Sequence, residues 1–143
     1  MNIVVDTNVI ISALFFGGLP LKIIEAIFSG KVNAFASPEI VQEYFETYRE
    51  IHKKYNSKGN YTVLSQILNK VQIIIPNQDV HICRDSDDDK FISCALDAHC
   101  LYVVSGDKDL LSIKSYKGIE IVTAAEFLNQ KKKPGQPHRT SIN

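Results

Sequence analysis

The stretch Cys83-Arg84-Asp85-Ser86-Asp87-Asp88-Asp89-Lys90-Phe91-Ile92-Ser93-Cys94-Ala95-Leu96 packs four aspartates into five residues and then turns apolar at once. Phe91, Ile92, Ala95 and Leu96 recur at helical spacing, so a helix is predicted directly after the acids. Ser86 is the candidate N-cap, with carboxylates filling the first turn. Negative charge there stabilises a helix by roughly 0.3–1 kcal/mol per group. One or two acids would do that. Four crowded carboxylates repel one another, and a hard cation taking oxygen ligands would relieve them. A solvated acidic cap and a metal site are both open at this point.

Working outward from this stretch, Leu101-Tyr102-Val103-Val104 reads as a strand, followed by the turn Ser105-Gly106-Asp107-Lys108-Asp109 and a short helix. Residues 119–122 are a further strand, and Thr123 caps a last helix. On the other side, residues 71–75 form a strand stopped by Pro76. Ser37-Pro38-Glu39 opens a helix expected to reach about Lys54, with Ile40, Val41, Tyr44, Phe45 and Tyr48 facing inward. Residues 61–69 suggest another helix. Residues 32–36 are a strand, and a helix is expected from Pro20 to Gly30. The chain begins with the β-branched strand Ile3-Val4-Val5, then Asp6-Thr7-Asn8. Strands alternate with helices throughout. That pattern predicts an α/β fold with a central, mostly parallel sheet of about five strands, covered on both faces.

At 143 residues with 45% hydrophobic content, the chain can bury one core. Residues 1–130 are expected to form that domain. From Lys131 the composition turns to Lys-Lys-Lys-Pro-Gly-Gln-Pro-His-Arg, which reads as a disordered basic tail over 131–143. No stretch approaches the roughly 18 apolar residues of a membrane span, and no signal peptide is expected at the start. Three cysteines without CxxC spacing suit reduced thiols in a cytoplasm, and zinc is not indicated. Lys plus Arg equals Asp plus Glu at 16 each, which argues against a nonspecific nucleic-acid binder with a basic surface. It leaves room for a nuclease with an acidic centre.

In parallel sheets, ligands bind outside the carboxyl ends of the strands. Asp6 follows the first strand, and Asp107 and Asp109 follow the strand 101–104. Glu43 lies about one turn into its helix. The topology can therefore bring Asp6, Glu43, Asp88 or Asp89, and Asp107 into one pocket. Each acid also has a plain structural reading. Asp-Thr-Asn is good turn chemistry, Glu43 an ordinary helix acid, and Asp107 and Asp109 turn and cap residues. Oxygen-only ligands select Mg²⁺ or Mn²⁺. Such ions suit phosphoryl chemistry, with a second ion, where present, roughly 3.5–4 Å from the first.

Four blocks carry a resemblance to a known family: Ile3-Val4-Val5-Asp6-Thr7-Asn8-Val9, Ser37-Pro38-Glu39-Ile40-Val41-Gln42-Glu43, the acidic stretch from Cys83 to Ile92, and Val103-Val104-Ser105-Gly106-Asp107-Lys108-Asp109-Leu110-Leu111. In this order they resemble the PIN domain, nearest to the PIN-domain toxin components of prokaryotic toxin–antitoxin systems. The resemblance spans about residues 2–128. It implies a three-layer α/β/α fold and a Mg²⁺- or Mn²⁺-dependent endoribonuclease acting on single-stranded RNA. It also implies a cognate antitoxin, a homodimer and a cytoplasmic location, with no membrane partner. By resemblance Asp6, Glu43 and Asp107 are the first, second and fourth catalytic acids. The third is Asp88 or Asp89. Asp6, Asp88, Asp89 and Asp107 are the candidate metal ligands, supported by Asn8, Ser105 and Asp109. Ser86 stands where this branch often has proline, and Ser105 where it often has threonine; neither removes a ligand. Lys53, Lys54, Lys58 and Lys108 could line the RNA approach.

Competing readings are a haloacid-dehalogenase-like phosphatase, a receiver domain, a dinucleotide-binding fold, and a PIN scaffold that binds RNA or a partner protein while cutting little. The phosphatase pattern wants aspartate where Asn8 stands, and the dinucleotide fold wants a Gly-rich first turn.

Overall fold

The computed structural model describes residues 1–55 and 61–130. Lys58 and the expected tail over 131–143 lie outside the described residues. Strand β1 (Asn2–Val5) leads through Asp6 into helix α1 (Thr7–Phe16), and α2 (Gly18–Phe28) follows after a sharp corner. Gly17 and Gly18 make that corner at φ +71° and +69°, a region side-chain-bearing residues rarely adopt. Helix α2 thus starts before Pro20, at Gly18. The chain continues with β2 (Asn33–Ala36), α3 (Pro38–Tyr55), α4 (Tyr61–Leu68) and β3 (Gln72–Ile73). A single 3₁₀ turn (Ser86–Asp88) precedes α5 (Asp89–Asp97). Then come β4 (Tyr102–Val104), α6 (Lys108–Ile113), β5 (Ser115–Tyr116), β6 (Ile119–Val122) and α7 (Ala124–Gln130).

The sheet has six strands in the order β3-β2-β1-β4-β6-β5. All pairings are parallel except β5 with β6. Helices cover both faces, giving the three-layer α/β/α arrangement. Five strands are expected from the sequence; the sixth among the described residues, β5, is a two-residue hairpin arm, too short for any periodicity to show. Strand β3 is shorter than residues 71–75, although Ile74 N–H still donates to Ala36 O at 2.9 Å.

The central strands are apolar on both faces because both are covered. Ile3, Val4, Val103 and Val104 are fully buried, packed with Ile10, Ile40, Phe91, Ile92 and Phe127. Local signals set the helix starts. Ser37 Oγ accepts from Ile40 N–H at 3.3 Å. Thr123 and Glu126 form a reciprocal capping box at 2.9 and 3.1 Å. Ser86 is not the cap before α5. The Asp85 carboxylate accepts from Asp87 N–H at 3.0 Å and caps the 3₁₀ turn. The acid wins because its charged oxygen is the stronger acceptor for an exposed N–H.

Among the described residues no single helix is long and apolar enough to cross a membrane. Helices α1 and α2 are both apolar, but they meet at 103° and bury their faces in the core.

Candidate metal centre

The parallel sheet delivers β1 and β4 side by side, with Val5 opposite Val104. Asp6 N–H donates to Val104 O at 2.9 Å, locking the end of β1 to the end of β4. Asp6 is therefore held at the carboxyl edge of the sheet, 5% exposed. Its Oδ2 accepts from the Ser105 hydroxyl at 2.7 Å, and Ser105 Oγ in turn accepts from Asp107 N–H at 2.9 Å. One buried hydroxyl thus couples the turn after β1 to the turn after β4. It both donates and accepts, which explains a hydroxyl residue at this position.

Burial is the main cause pushing the Asp6 carboxyl above its ordinary pKa. The Ser105 and Thr7 hydrogen bonds pull it back, and the charges of Glu43 and Asp107 push it up again. Glu43 reaches the group from α3. Tyr44, its neighbour, donates from its buried hydroxyl to Val5 O and so pins α3 to the end of β1. Glu43 Oε2 accepts from Thr7 Oγ1, and its Oε1 meets Lys90 Nζ at 2.6 Å.

Asp88 and Asp89 are adjacent but face different ways. Asp88 lies close enough to Asp107 for the two carboxyls to act on each other's charge. Burial, then the Asp107, Asp6 and Asp85 charges, raise the Asp88 pKa to about 7. Asp89 turns the other way and is 8% exposed. Its Oδ1 accepts from Cys83 N–H at 2.9 Å and Ile82 N–H at 3.2 Å. Burial would raise its pKa, but those N–H groups outweigh burial and lower it. Asp89 thus fastens the loop before α5. Asp97 fastens it earlier, accepting from Gln78 N–H at 3.3 Å and Gln78 Nε2 at 2.9 Å.

Of the other expected site residues, Ser105 is buried at the centre, whereas Asn8 is exposed. Asp109 lies in the first turn of α6, its carboxylate 3.9 Å from exposed Arg84 Nη1. Lys53, Lys54 and Lys108 are exposed. Lys90 was not among the sequence candidates. Its side chain is 7% exposed, and Nζ also meets Asp87 Oδ2 at 2.9 Å and Asp87 O at 2.7 Å. Burial would lower its pKa, but Glu43 and Asp87 outweigh burial and raise it. An i,i+3 pairing with Asp87 was the available signal. Lys90 also forms part of the wall of an adjoining cleft of about 330 Å³, bounded by Ser37, Glu39, Pro76, Gln78 and Ser93.

A match to the PIN domain covers residues 2–109. The chain belongs to the PIN-domain family. It is also 39% identical over 120 residues to an uncharacterized protein of Methanocaldococcus jannaschii, covering 80% of this chain and 76% of that protein. The matched span contains Asp6, Glu43, Asp88, Asp89, Ser105 and Asp107. PIN domains are generally nucleases that use divalent metal ions, so the family makes hydrolysis of a phosphodiester the relevant chemistry.

The residues present fit such an ion by their chemistry. Among the described residues no three acidic, histidine or cysteine side chains stand as a ready-made cage. Asp6, Asp88 and Asp107 nonetheless act on one another's charge, and Ser105 links Asp6 to the backbone of Asp107. A hard divalent cation would relieve the repulsion among these carboxylates.

Proposed function

We propose that the protein is a Mg²⁺- or Mn²⁺-dependent endoribonuclease that hydrolyses single-stranded RNA. The observation that carries this reading is the gathering of acids at the carboxyl edge of the sheet, where Ser105 links Asp6 to Asp107 and where burial, then the Asp107 and Asp6 charges, raise Asp88 to a pKa of about 7. Such a group holds strained negative charge in reserve for a cation. In this reading Asp6, Asp88 and Asp107 supply the ligand oxygens, and Asp89 serves the loop. A bound divalent ion would acidify a water and neutralise charge on the phosphate.

The chain's own residues do the rest. Ser105 orients Asp6 and the backbone of Asp107. Thr7 and Lys90 fix Glu43, which together with Asp107 positions the attacking water. Hydrolysis forms one bond from the water oxygen to phosphorus and breaks the bond to the leaving ribose oxygen. Exposed Lys53, Lys54 and Lys108 are available to the RNA backbone.

The same reading extends to a toxin of a toxin–antitoxin system, restrained by a cognate antitoxin, acting as a homodimer in the cytoplasm. Its support is the resemblance of the four sequence blocks to that branch of the family.

The test is cleavage of a labelled single-stranded RNA with Mg²⁺, Mn²⁺ or chelator, beside Asp6→Asn purified identically. Metal-dependent cutting that disappears in Asp6→Asn is expected. Equal cutting by both proteins would assign the activity to a contaminant. Failure of both to cut while RNA is still retained would favour the scaffold reading.

A further inference from the structure

Lys90 is a cation built into an acidic site, and its contacts divide the acids into two kinds. Glu43 has both carboxylate oxygens engaged: Oε1 with Lys90 Nζ at 2.6 Å, and Oε2 with the Thr7 hydroxyl. Lys90 is in turn held on a second side by the carboxylate and the carbonyl of Asp87, at 2.9 and 2.7 Å. Its side chain is 7% exposed and that of Glu43 25%, so water screens this pair less than the contact with exposed Asp87. Removing Lys90 would leave the partly buried Glu43 carboxylate without its cation, and removing Glu43 would leave the ammonium group to Asp87 alone. Among the described residues no ion pair is formed to Asp6, Asp88 or Asp107. Asp6 is met by the neutral hydroxyl of Ser105, which also accepts from the Asp107 backbone N–H.

We infer that Lys90 stands in for a second metal ion: it keeps Glu43 out of the ligand set and restricts the site to one divalent cation, held by Asp6, Asp88 and Asp107. The inference rests on the metal-site reading proposed above and deepens it. Three carboxylates, once ionised, would balance one divalent ion with charge to spare. A second divalent ion would have to break the Glu43–Lys90 pair and then sit beside the ammonium group it displaced. Lys90 is thus a positioning residue, acting through Glu43 and not on the substrate.

Mn²⁺ titration followed by calorimetry, and by the paramagnetic resonance of the free ion, measures this directly. The wild-type chain is expected to bind one Mn²⁺. Lys90→Met should bind two, and Lys90→Arg, which restores the charge, should return the count to one. A purely structural role for Lys90 would change folding without changing the number of ions. A folded Lys90→Met that binds one Mn²⁺ with wild-type affinity overturns the inference and leaves the nuclease reading intact. Two ions on the wild type do the same, whereas none overturns both. Should Lys90→Met fail to fold, Glu43→Gln decides. It should still bind one Mn²⁺, and loss of binding would make Glu43 a ligand and sink the idea.

Discussion

Helices α1 and α3 each run from one environment to another, and their two ends are built on different rules. At their N-terminal ends, Thr7 and Glu43 join Asp6, Ser105 and Lys90 in a site where buried polar atoms are bonded but like charges crowd. At their C-terminal ends the contacts are aromatic. Tyr48 lies 5.1 Å from Phe15 and 4.6 Å from Tyr61 between ring centroids, and Phe16 meets Tyr55 edge-on at 6.2 Å. The aromatic end obtains stability from packing and from ring-edge geometry. The acidic end gives stability away, because repelling carboxylates are kept where burial disfavours their charge. The same pair of helices therefore separates holding the fold from the proposed chemistry.

Asp88 and Asp89 are neighbours to which the proposed reading gives opposite duties. Asp88→Asn should lower cleavage by at least about 10³-fold, since it removes a proposed ligand. Its melting temperature should hold or rise, because a crowded charge is gone. Asp89→Ala should do the reverse. It strands the N–H groups of Ile82 and Cys83 and should cost about 1–3 kcal/mol of stability. Activity per folded molecule should fall far less than in Asp88→Asn. Thermal melts and RNA cleavage on the same preparations decide it. If Asp89→Ala loses cleavage at full stability, Asp89 is the ligand and the division of labour is wrong.

Tyr48 tests the other end. It is 1% exposed, and its hydroxyl is buried with no hydrogen-bond partner among the described residues. Tyr48→Ala should cost about 3–5 kcal/mol by emptying the centre of the aromatic cluster. Tyr48→Phe keeps the ring and removes only the unpartnered hydroxyl. It should stay within about 1 kcal/mol of wild type, on the stable side. Denaturant melts of the two variants separate ring packing from hydroxyl bonding. A large loss in Tyr48→Phe would show that the hydroxyl is held by a group outside the described residues.

How much of this was legible beforehand follows from the range of each signal. The alternation of strands and helices, the caps at Ser37 and Thr123, and the placement of Asp6 and Asp107 all rest on local pattern plus parallel topology. Those were readable. The choice between Asp88 and Asp89 was not, because both sit at the junction of a 3₁₀ turn and α5. There the phase of the helix is set by a loop that Asp89 and Asp97 tie down from a distance. Asn8, two residues from Asp6, is exposed, and its place in the chain alone assigns it no contact with the acids. Lys90 shows the opposite failure. Its spacing from Asp87 was visible, but its contact with Glu43 on α3 is a tertiary fact, and a lysine after an acid run reads by default as a solvated charge.

The smallest expected effect is the pH dependence of stability without metal. In the folded chain Asp88 titrates near 7, above the ordinary carboxylate value it takes when unfolded. A raised carboxyl means that the native state holds its proton more tightly. Its stabilising contribution is full below about pH 4 and is lost as pH rises through about 7. Asp6 is raised too and adds in the same direction. Asp89 and Asp97 are lowered, so they act oppositely, but their contribution is lost only as pH falls below the ordinary carboxylate range. Melts in chelator between pH 5 and about 8 therefore isolate the acidic site. Stability should decline across that window by well under the ceiling of about 1.4 kcal/mol per pH unit for one proton, because solvent screens a half-exposed carboxyl. Asp88→Asn should flatten the decline, and histidines elsewhere would leave it unchanged in that variant. Adding Mg²⁺ should reverse the slope, since the ion competes with the proton for the same oxygens and gains as the proton leaves. A slope that Mg²⁺ leaves untouched would mean that proton and metal do not share a site, and the acidic ends of α1 and α3 would then owe their crowding to something other than a cation.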